Sequence, residues 1–246
     1  MRARPPRPLV IAHRGASGYL SENTLPAYEL AVEQRADMIE IDLHRTRDGA
    51  IVITHDESLA GLGGRGEIAQ ATRAEVRALD AGAGERVPLL DEVLDRFGER
   101  IPFNLELKCG REGPYPGLER AALDAVSERG LLARTLFSSF SDRVLATLRE
   151  LNPDARIGVL VSPEAPQRWR ERARAVGAEA VHFWVGLASA DAVETAHADG
   201  LLVNVYTVDD PDALRVLCGR GVDGIFTNYP DRLRALVPAG KSAIRD

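Results

Sequence analysis

Short apolar runs alternate along the chain with longer segments whose apolar residues recur every three or four positions. The longer segments, such as 25–32, 118–126 and 144–151, have the period of amphipathic helices. The short runs have the length of buried strands, and we count eight of them, at 8–13, 37–43, 101–107, 134–140, 155–161, 179–184, 201–206 and 223–228. Strands that alternate with helices form right-handed βαβ units on a parallel sheet. Their number predicts a closed (β/α)8 barrel, and an open doubly wound sheet is the alternative.

One segment after the second strand breaks this alternation. Asp48 and Gly49 give a tight-turn signal followed by a short apolar run, which predicts a hairpin. Residues 57–88 are then rich in glycine and polar side chains, with one predicted helix near 71–79, before the helix of strand two at 90–97. We interpret 57–88 as a small insertion over the mouth of the barrel, where barrel enzymes carry their chemistry.

Length, composition and charge agree with this architecture. The 246 residues would be used up by one barrel, which typically needs about 250, so we expect 1–246 to be a single domain. The net charge is −6 with both signs interspersed, so we expect no nucleic-acid partner. No apolar run approaches the roughly 18 residues of a spanning helix, and the N-terminal segment lacks the apolar core of a signal peptide. Cys109 and Cys218 fit neither a metal nor a disulfide framework, which favours a cytoplasmic location.

Carboxylates interrupt the predicted strands at regular positions. Glu40 and Asp42 are two residues apart and therefore share one face of strand two, as Glu106 and Lys108 do on strand three. Buried carboxylates are costly unless something compensates their charge. Three of them at neighbouring strand ends could bind one divalent cation, and oxygen ligands favour Mg²⁺ or Ca²⁺ over Zn²⁺. Salt bridges of these carboxylates with Lys108 or Arg14 are the alternative.

Histidine and basic side chains end two of the same segments. His13 and Arg14 close the first strand, and His55 closes the hairpin run. Arg14 and Lys108 could hold an anion beside the metal, and two histidines can serve as acid and base near neutral pH. We interpret the remaining histidines as structural residues: His44, His182 and His197.

In this order and at these spacings, the chain resembles the glycerophosphodiester phosphodiesterase family. The matching stretches are HRG at 13–15, ENT at 22–24, EID at 40–42, TRDG at 46–49, HD at 55–56, LDAG at 79–82, PLLDEVL at 88–94 and ELK at 106–108, with weaker matches SSF at 138–140, NVYTVDD at 204–210 and TNYP at 227–230. The resemblance spans nearly the whole chain. It implies a TIM barrel with a small insertion after strand two. It also implies hydrolysis of glycerophosphodiesters to sn-glycerol 3-phosphate and an alcohol such as choline or ethanolamine.

The resemblance implies a metal-dependent reaction. The metal ligands would be Glu40, Asp42 and Glu106, and the single ion would be Mg²⁺ or Ca²⁺. Arg14 and Lys108 would contact the phosphate of the substrate. A phosphodiester resists attack because its charge repels the nucleophile, so these cations would neutralise the charge that develops in the transition state.

The resemblance also makes His13 and His55 the general acid/base pair. The nucleophile in the family is thought to be the glycerol 2-hydroxyl, which gives a cyclic phosphate that water then opens. We expect His13 to act as the base and His55 as the acid. Asn23 is expected either to cap the first helix with its side-chain oxygen or to contact the substrate directly. Tyr206 is expected either to contact the substrate or to pack at the barrel end.

The chain departs from the family's usual pattern at three positions. The stretch ESLAGLGGRG at 57–66 differs beside the insertion, Tyr206 stands in place of a tryptophan, and Asn228 stands in place of an aspartate. The last change would weaken a charge network at that position. Further candidates for the pocket wall are Phe140, Trp184 and Phe226.

Two other functions remain open at this stage. One is release of a head group from lysophospholipids, for which the glycine-rich stretch 57–66 offers little apolar surface. The other is a non-catalytic barrel that binds a phosphodiester, although such domains typically lack a catalytic histidine or a metal carboxylate. If the protein is an enzyme, with either a glycerophosphodiester or a lysophospholipid as substrate, the expected partner is a small-molecule diester. The sequence does not predict an oligomeric state.

Overall fold

The computed structural model describes residues 4–237, and within them a parallel sheet closes into a barrel. The strands are β1 (Leu9–His13), β2 (Met38–Arg45), β3 (Ile51–Ile53), β4 (Phe103–Leu107), β5 (Cys109–Gly110), β6 (Gly113–Pro114), β7 (Thr135–Ser139), β8 (Arg156–Val161), β9 (Ala180–Trp184), β10 (Leu202–Tyr206) and β11 (Gly224–Thr227). Strand β1 pairs in parallel with both β2 and β11, which closes the barrel. The predicted (β/α)8 architecture is confirmed. The predicted single domain, 1–246, extends beyond the described residues at both ends and stays a prediction.

Helices cover the outside of the barrel between successive strands. They are α1 (Leu25–Glu33), α2 (Arg73–Arg77), α3 (Leu90–Phe97), α4 (Leu118–Glu128), α5 (Asp142–Leu151), α6 (Trp169–Ala175), α7 (Ala190–Ala198), α8 (Pro211–Arg220) and α9 (Pro230–Leu236). The four helices predicted around α1, α3, α4 and α5 agree with these bounds to within two residues. In the part of the chain described here, no helix has the length and apolarity needed to cross a membrane.

The start of α1 corrects one prediction. Thr24 caps this helix, because its hydroxyl accepts a hydrogen bond from the amide of Ala27. Asn23 does not cap it: an N-cap residue has extended backbone angles, whereas Asn23 has a φ of +56°. That left-handed conformation directs the Asn23 side chain to Asp42 of β2 instead.

The interior of the barrel holds both apolar and polar side chains. Ile11, Met38 and Phe226 form an apolar cluster. Asn104 donates a hydrogen bond to Ser138 across neighbouring strands. His182 is fully buried on β9, and neither ring nitrogen has a hydrogen-bond partner among residues 4–237.

Residues 57–88 form the predicted insertion between β3 and α3. The helix predicted near 71–79 is the shorter α2, and two 3-10 helices precede it. Together with Val52 of β3, this segment forms an apolar cluster separate from the main core of the barrel. Its other buried members are Leu59, Ile68, Ala71, Val76 and Val87. Strand β3 runs antiparallel to β2, which returns the chain to the level of Asp42 and places His55 at the mouth of the barrel.

Candidate active site

Three carboxylates converge at the carboxyl ends of β2 and β4. Asp42 and Glu106 are direct neighbours across these strands, and Glu40 lies two residues earlier on β2. One carboxylate oxygen from each of the three lies within 4.8 Å of the others. All three side chains are largely buried. The structure therefore brings together the three residues that the sequence predicts as metal ligands.

Two cationic side chains contact this carboxylate cluster. Lys108 Nζ lies 2.8 Å from Glu106 Oε1 and 3.1 Å from Asp42 Oδ1. Arg14 Nε lies 3.2 Å from Asp42 Oδ2, and Arg14 Nη1 reaches Glu22 at 2.8 Å. Burial alone would raise the pKa of Asp42, but Lys108 and Arg14 hold it below its ordinary value. Asp42 is therefore the carboxylate that the two cations stabilise as an anion.

Glu40 is the carboxylate that these cations do not compensate. Its Oε2 accepts a hydrogen bond from the backbone amide of Arg14, whereas its Oε1 is buried and has no partner within residues 4–237. Burial, together with the charges of Asp42 and Glu106, raises the pKa of Glu40 well above its ordinary value. The alternative of a purely structural ion-pair network thus accounts for Asp42 and Glu106 but not for Glu40. A bound cation would satisfy this oxygen, and three carboxylates are a donor set that suits Mg²⁺ or Ca²⁺.

Asn23 has a role that the sequence did not predict. Its side-chain Nδ2 donates to Asp42 Oδ2 at 2.9 Å, and its Oδ1 accepts from the Tyr28 hydroxyl at 3.0 Å. Its backbone amide donates to the carbonyl of Arg14, which has a left-handed φ of +57°. The loop between β1 and α1 therefore fixes Asp42 and Arg14 together.

His13 lies at the end of β1, beside the carboxylate cluster. Its Nδ1 is 2.8 Å from Asn228 Oδ1, and its Nε2 is 3.5 Å from Thr207 Oγ1. Burial, followed by the nearby Arg14 guanidinium, lowers the pKa of His13 to about 4. The ring is therefore neutral at pH 7 and can accept a proton.

His55 has a more open environment on the other side of the mouth. Its side chain is 38% exposed, and its Nδ1 lies 2.7 Å from a carboxylate oxygen of Asp56. His44 Nε2 contacts the backbone carbonyl of His55 at 3.1 Å, and His44 Nδ1 contacts the Tyr115 hydroxyl at 2.7 Å. Because burial lowers the pKa of His44 to about 4, a neutral and buried His44 supports the backbone that carries His55.

A cavity of about 340 Å³ joins these groups at the barrel mouth. The predicted site residues at its surface are His13, Arg14, Glu40, His55, Glu106, Lys108 and Tyr206. Asp42 does not line the cavity, because Asn23, Arg14 and Lys108 enclose it. The insertion borders this mouth rather than covering it: its residues line an adjoining cleft, which shares His55 with the cavity.

The opposite wall of the cavity is apolar and aromatic. Phe140 and Trp184 are 44% and 39% exposed at the ends of β7 and β9. Tyr206 packs edge-on against Phe140, with ring centroids 6.1 Å apart, and its hydroxyl donates to the carbonyl of Val161. Tyr206 therefore presents its ring, not its hydroxyl, to the cavity. Phe226 lines the same wall and also packs in the barrel interior.

Thr207 and Asp209 also belong to the site but were not singled out from the sequence. Thr207 lines the cavity next to His13. Asp209 accepts hydrogen bonds from Thr227, the last residue of β11, and from Asn228, which follows it. The signal for Asp209 lies in the stretch NVYTVDD, where the neighbouring Asp210 caps α8 and leaves Asp209 without a local role.

A closed barrel with carboxylates, cations and two histidines at the carboxyl ends of its strands has the architecture of a barrel hydrolase. The model of the glycerophosphoryl diester phosphodiesterase family matches residues 13–232, which include every residue of the site described above. The chain therefore belongs to the glycerophosphoryl diester phosphodiesterase family, a family of phosphoric diester hydrolases. This match confirms the family resemblance seen in the sequence.

Individual relatives cover almost the whole chain. A glycerophosphodiester phosphodiesterase of Bacillus subtilis is 33% identical over 255 residues, covering 92% of this chain and 85% of the relative. One from Caldanaerobacter subterraneus is 34% identical over 241 residues, covering 94% and 98%. The solved structure of an Oleispira antarctica phosphodiesterase, in complex with the product sn-glycerol-3-phosphate, superimposes with a TM-score of 0.83 at 32% identity and covers 95% of this chain and 98% of that one.

Proposed function

We propose that this protein hydrolyses glycerophosphodiesters to sn-glycerol 3-phosphate and an alcohol, with one divalent cation, Mg²⁺ or Ca²⁺. Family membership supports the reaction, and the product bound to the Oleispira antarctica relative supports its outcome. The observation that carries the metal requirement is the buried, unpartnered Oε1 of Glu40 beside two further carboxylates. A cytoplasmic location and the absence of a nucleic-acid partner stay predictions.

In this proposal Glu40, Asp42 and Glu106 hold the cation. When bound, the ion would neutralise charge on the phosphate and make phosphorus more electrophilic. Arg14 and Lys108 keep part of their side chains at the cavity surface, where they would bind the phosphate oxygens. Their own ion pairs with Asp42 hold both cations in position before the substrate binds.

The two histidines would transfer the protons of the reaction. His13 is neutral at pH 7 and would remove the proton of the glycerol 2-hydroxyl as this oxygen attacks phosphorus. His55, with Asp56 at its Nδ1, would donate a proton to the departing alcohol. Bond formation to the 2-hydroxyl and loss of the alcohol give a cyclic phosphate. Water would then open this ring with the two histidines in exchanged roles.

The first experiment measures sn-glycerol 3-phosphate release from glycerophosphocholine by EDTA-stripped protein while Mg²⁺ and Ca²⁺ are titrated separately. We expect one ion to restore turnover in the wild type. Glu40→Gln should lower it about 100-fold, because it removes one of the negative charges that bind the cation. The same substitution should not destabilise the metal-free protein, since it removes a buried and uncompensated carboxyl.

Glu29→Gln is the matched control, because Glu29 pairs with Arg96 and Arg100 on the outside of the barrel. It should leave turnover and the metal response unchanged. Equal activity of Glu40→Gln and the wild type would contradict the metal site. The wild type could also show no turnover with either ion, whether the substrate is glycerophosphocholine, another diester or a lysophospholipid. That result would favour a non-catalytic binding protein.

A second candidate activity is release of the head group from lysophospholipids. The observation that favours it is the exposed apolar surface of Phe140 and Trp184 at the cavity mouth. From the sequence, the glycine-rich stretch 57–66 offers little apolar surface, and Phe140 and Trp184 are candidates for the pocket wall. The structure places this surface on the opposite side, at the ends of β7 and β9.

A further inference from the structure

Asn228 links the carboxylate of Asp209 to His13. It follows β11 directly, and its side-chain Oδ1 lies 2.8 Å from His13 Nδ1. Its Nδ2 donates to Asp209 Oδ2 at 2.6 Å, and its backbone amide donates to Asp209 Oδ1 at 2.8 Å. Thr227 Oγ1 donates to the same Asp209 oxygen at 2.9 Å. Asp209 is therefore held by three hydrogen bonds from two consecutive residues.

These contacts determine which way the Asn228 amide faces. An ionised carboxylate only accepts hydrogen bonds, so the amide must present its NH2 group to Asp209. Its oxygen must then face His13 and Ser17, whose hydroxyl lies 2.8 Å from it. An amide oxygen only accepts, so the nitrogen of His13 that contacts it must carry the ring proton.

We propose that Asn228, oriented by Asp209, is a positioning residue that holds the ring proton of His13 on Nδ1, so that Nε2 stays unprotonated and can accept the substrate proton. The inference rests on the proposed function in one respect, namely that His13 acts as the base. Nε2 faces Thr207 across 3.5 Å, on the side of the cavity. The geometry thus assigns the reacting nitrogen of His13.

The same network gives a reason for asparagine at 228. An aspartate there would place a second carboxylate at hydrogen-bond distance from Asp209, and two such carboxylates cannot both be ionised. The family's more usual aspartate would therefore compete with Asp209 in this chain. In this chain Asp209 orients the neutral side-chain amide of Asn228 through hydrogen bonds. The oriented amide in turn orients the ring of His13.

Asp209→Asn tests this arrangement, because it keeps the shape and changes the hydrogen bonding. The new amide retains an oxygen for the backbone of Asn228 and for Thr227, and it turns an NH2 group towards the Asn228 side chain. We expect Asn228 to rotate its amide and present NH2 to His13, so that the proton of His13 moves from Nδ1 to Nε2. ¹⁵N NMR of the histidine ring nitrogens at neutral pH reads this tautomer directly, with His13→Gln to assign the signal.

The kinetic expectation follows from the same change. A protonated Nε2 cannot accept the substrate proton, so kcat should fall by roughly 10- to 100-fold while KM changes little. The matched control is Asp210→Asn, which alters the exposed cap of α8, where asparagine serves equally well. It should leave both the tautomer and kcat unchanged. Should Asp209→Asn fail to fold, Asn228→Ala removes the acceptor and should abolish the fixed Nδ1–H tautomer.

Two results would overturn the inference. One is a wild-type His13 that carries its proton on Nε2, and the other is an unchanged tautomer with unchanged kcat in Asp209→Asn. The NMR result does not depend on turnover. The wild type could hydrolyse no diester while the tautomer of His13 still differs between the wild type and Asp209→Asn. That outcome would refute the proposed function and support the positioning network.

Discussion

The two halves of the cavity wall differ in how they are built. The half formed by β1, β2 and β4 carries charged side chains whose ion pairs fix their positions. The half formed by β7 to β11 carries neutral side chains, of which Phe140 and Trp184 are partly exposed. The charged half matches the phosphodiester group that all candidate substrates share. The neutral half can differ with the alcohol without disturbing that charge network.

A similar contrast separates His13 of the charged half from His182, which does not line the cavity but packs against Phe226 of the neutral half. His13 has a partner at each ring nitrogen, whereas His182 has none within the described chain. Burial lowers the pKa of both, to about 4 for His13 and to about 3 for His182. Both rings are therefore neutral at pH 7, but only His13 lines the cavity. The hydrogen-bond partners and the position, rather than the lowered pKa, distinguish the candidate base.

The largest effect is expected from the charged half, in His13→Ala. Loss of a general base should lower turnover of glycerophosphocholine by roughly 10²- to 10⁴-fold, whereas binding of the diester should be retained. Steady-state kinetics and calorimetric titration measure the two quantities. Equal affinity in the wild type and the variant, with no turnover in either, would favour a non-catalytic binding barrel.

An intermediate effect is expected from His182→Leu, in the barrel interior next to Phe226 of the neutral half. The unfolded chain takes up a proton at this histidine below its ordinary pKa, about 6.5, but the folded protein does not do so until about pH 3. The wild type should therefore lose stability as pH falls through this window, and the variant should lose about 2 kcal/mol less by pH 4.5. Urea unfolding at pH 7 and pH 4.5 measures the difference. If the free energy of unfolding falls equally in both proteins between pH 7 and pH 4.5, His182 is not buried as a neutral ring.

The smallest effect is expected from Phe140→Ala and Trp184→Ala. Each removes apolar surface at the mouth that is worth about 1 kcal/mol to a substrate that contacts it, or about fivefold in kcat/KM. Turnover of glycerophosphocholine and of lysophosphatidylcholine should be compared in each variant. If the lysolipid is a substrate, its turnover should fall more than that of the diester.

Val216→Ala serves as the control, since Val216 is exposed on α8 and does not line the cavity. It should leave both substrates unaffected. If the ratio of lysophosphatidylcholine to glycerophosphocholine turnover is unchanged in Phe140→Ala and Trp184→Ala, the apolar surface at the mouth does not favour lysophospholipids.

The sequence predicted the barrel because its strands and helices are encoded locally. The apolar periodicity gave eight strands and the bounds of α3, and period-two spacing placed Glu40, Asp42 and Glu106 on one side. Contacts between distant segments were not predictable in this way. Asn23 and Thr24 are both good capping residues, and only the folded chain shows that Asn23 reaches Asp42 instead.

Asp209 was missed, and the partner of the structural residue His44 was not predicted, for a related reason. Asp209 precedes the cap of α8 and has the appearance of an ordinary loop residue, yet its partner Asn228 is 19 residues away. His44 follows the predicted end of strand two, and its contact with the backbone of His55 depends on the return of β3. Residues that position other residues leave no periodic signal of their own.

The separate apolar core of the insertion has a consequence for how this site diverges between relatives. Residues 57–88 pack on Leu59, Ile68, Val76 and Val87, and they contact β2 through the 3-10 helix Ile68–Gln70, which lies outside the stretch 57–66. Replacements in the atypical stretch 57–66 are therefore absorbed within the insertion, although they reshape the cleft beside His55. Changes in the insertion can therefore alter the cleft beside His55 while the three carboxylates of Glu40, Asp42 and Glu106 keep their positions on β2 and β4.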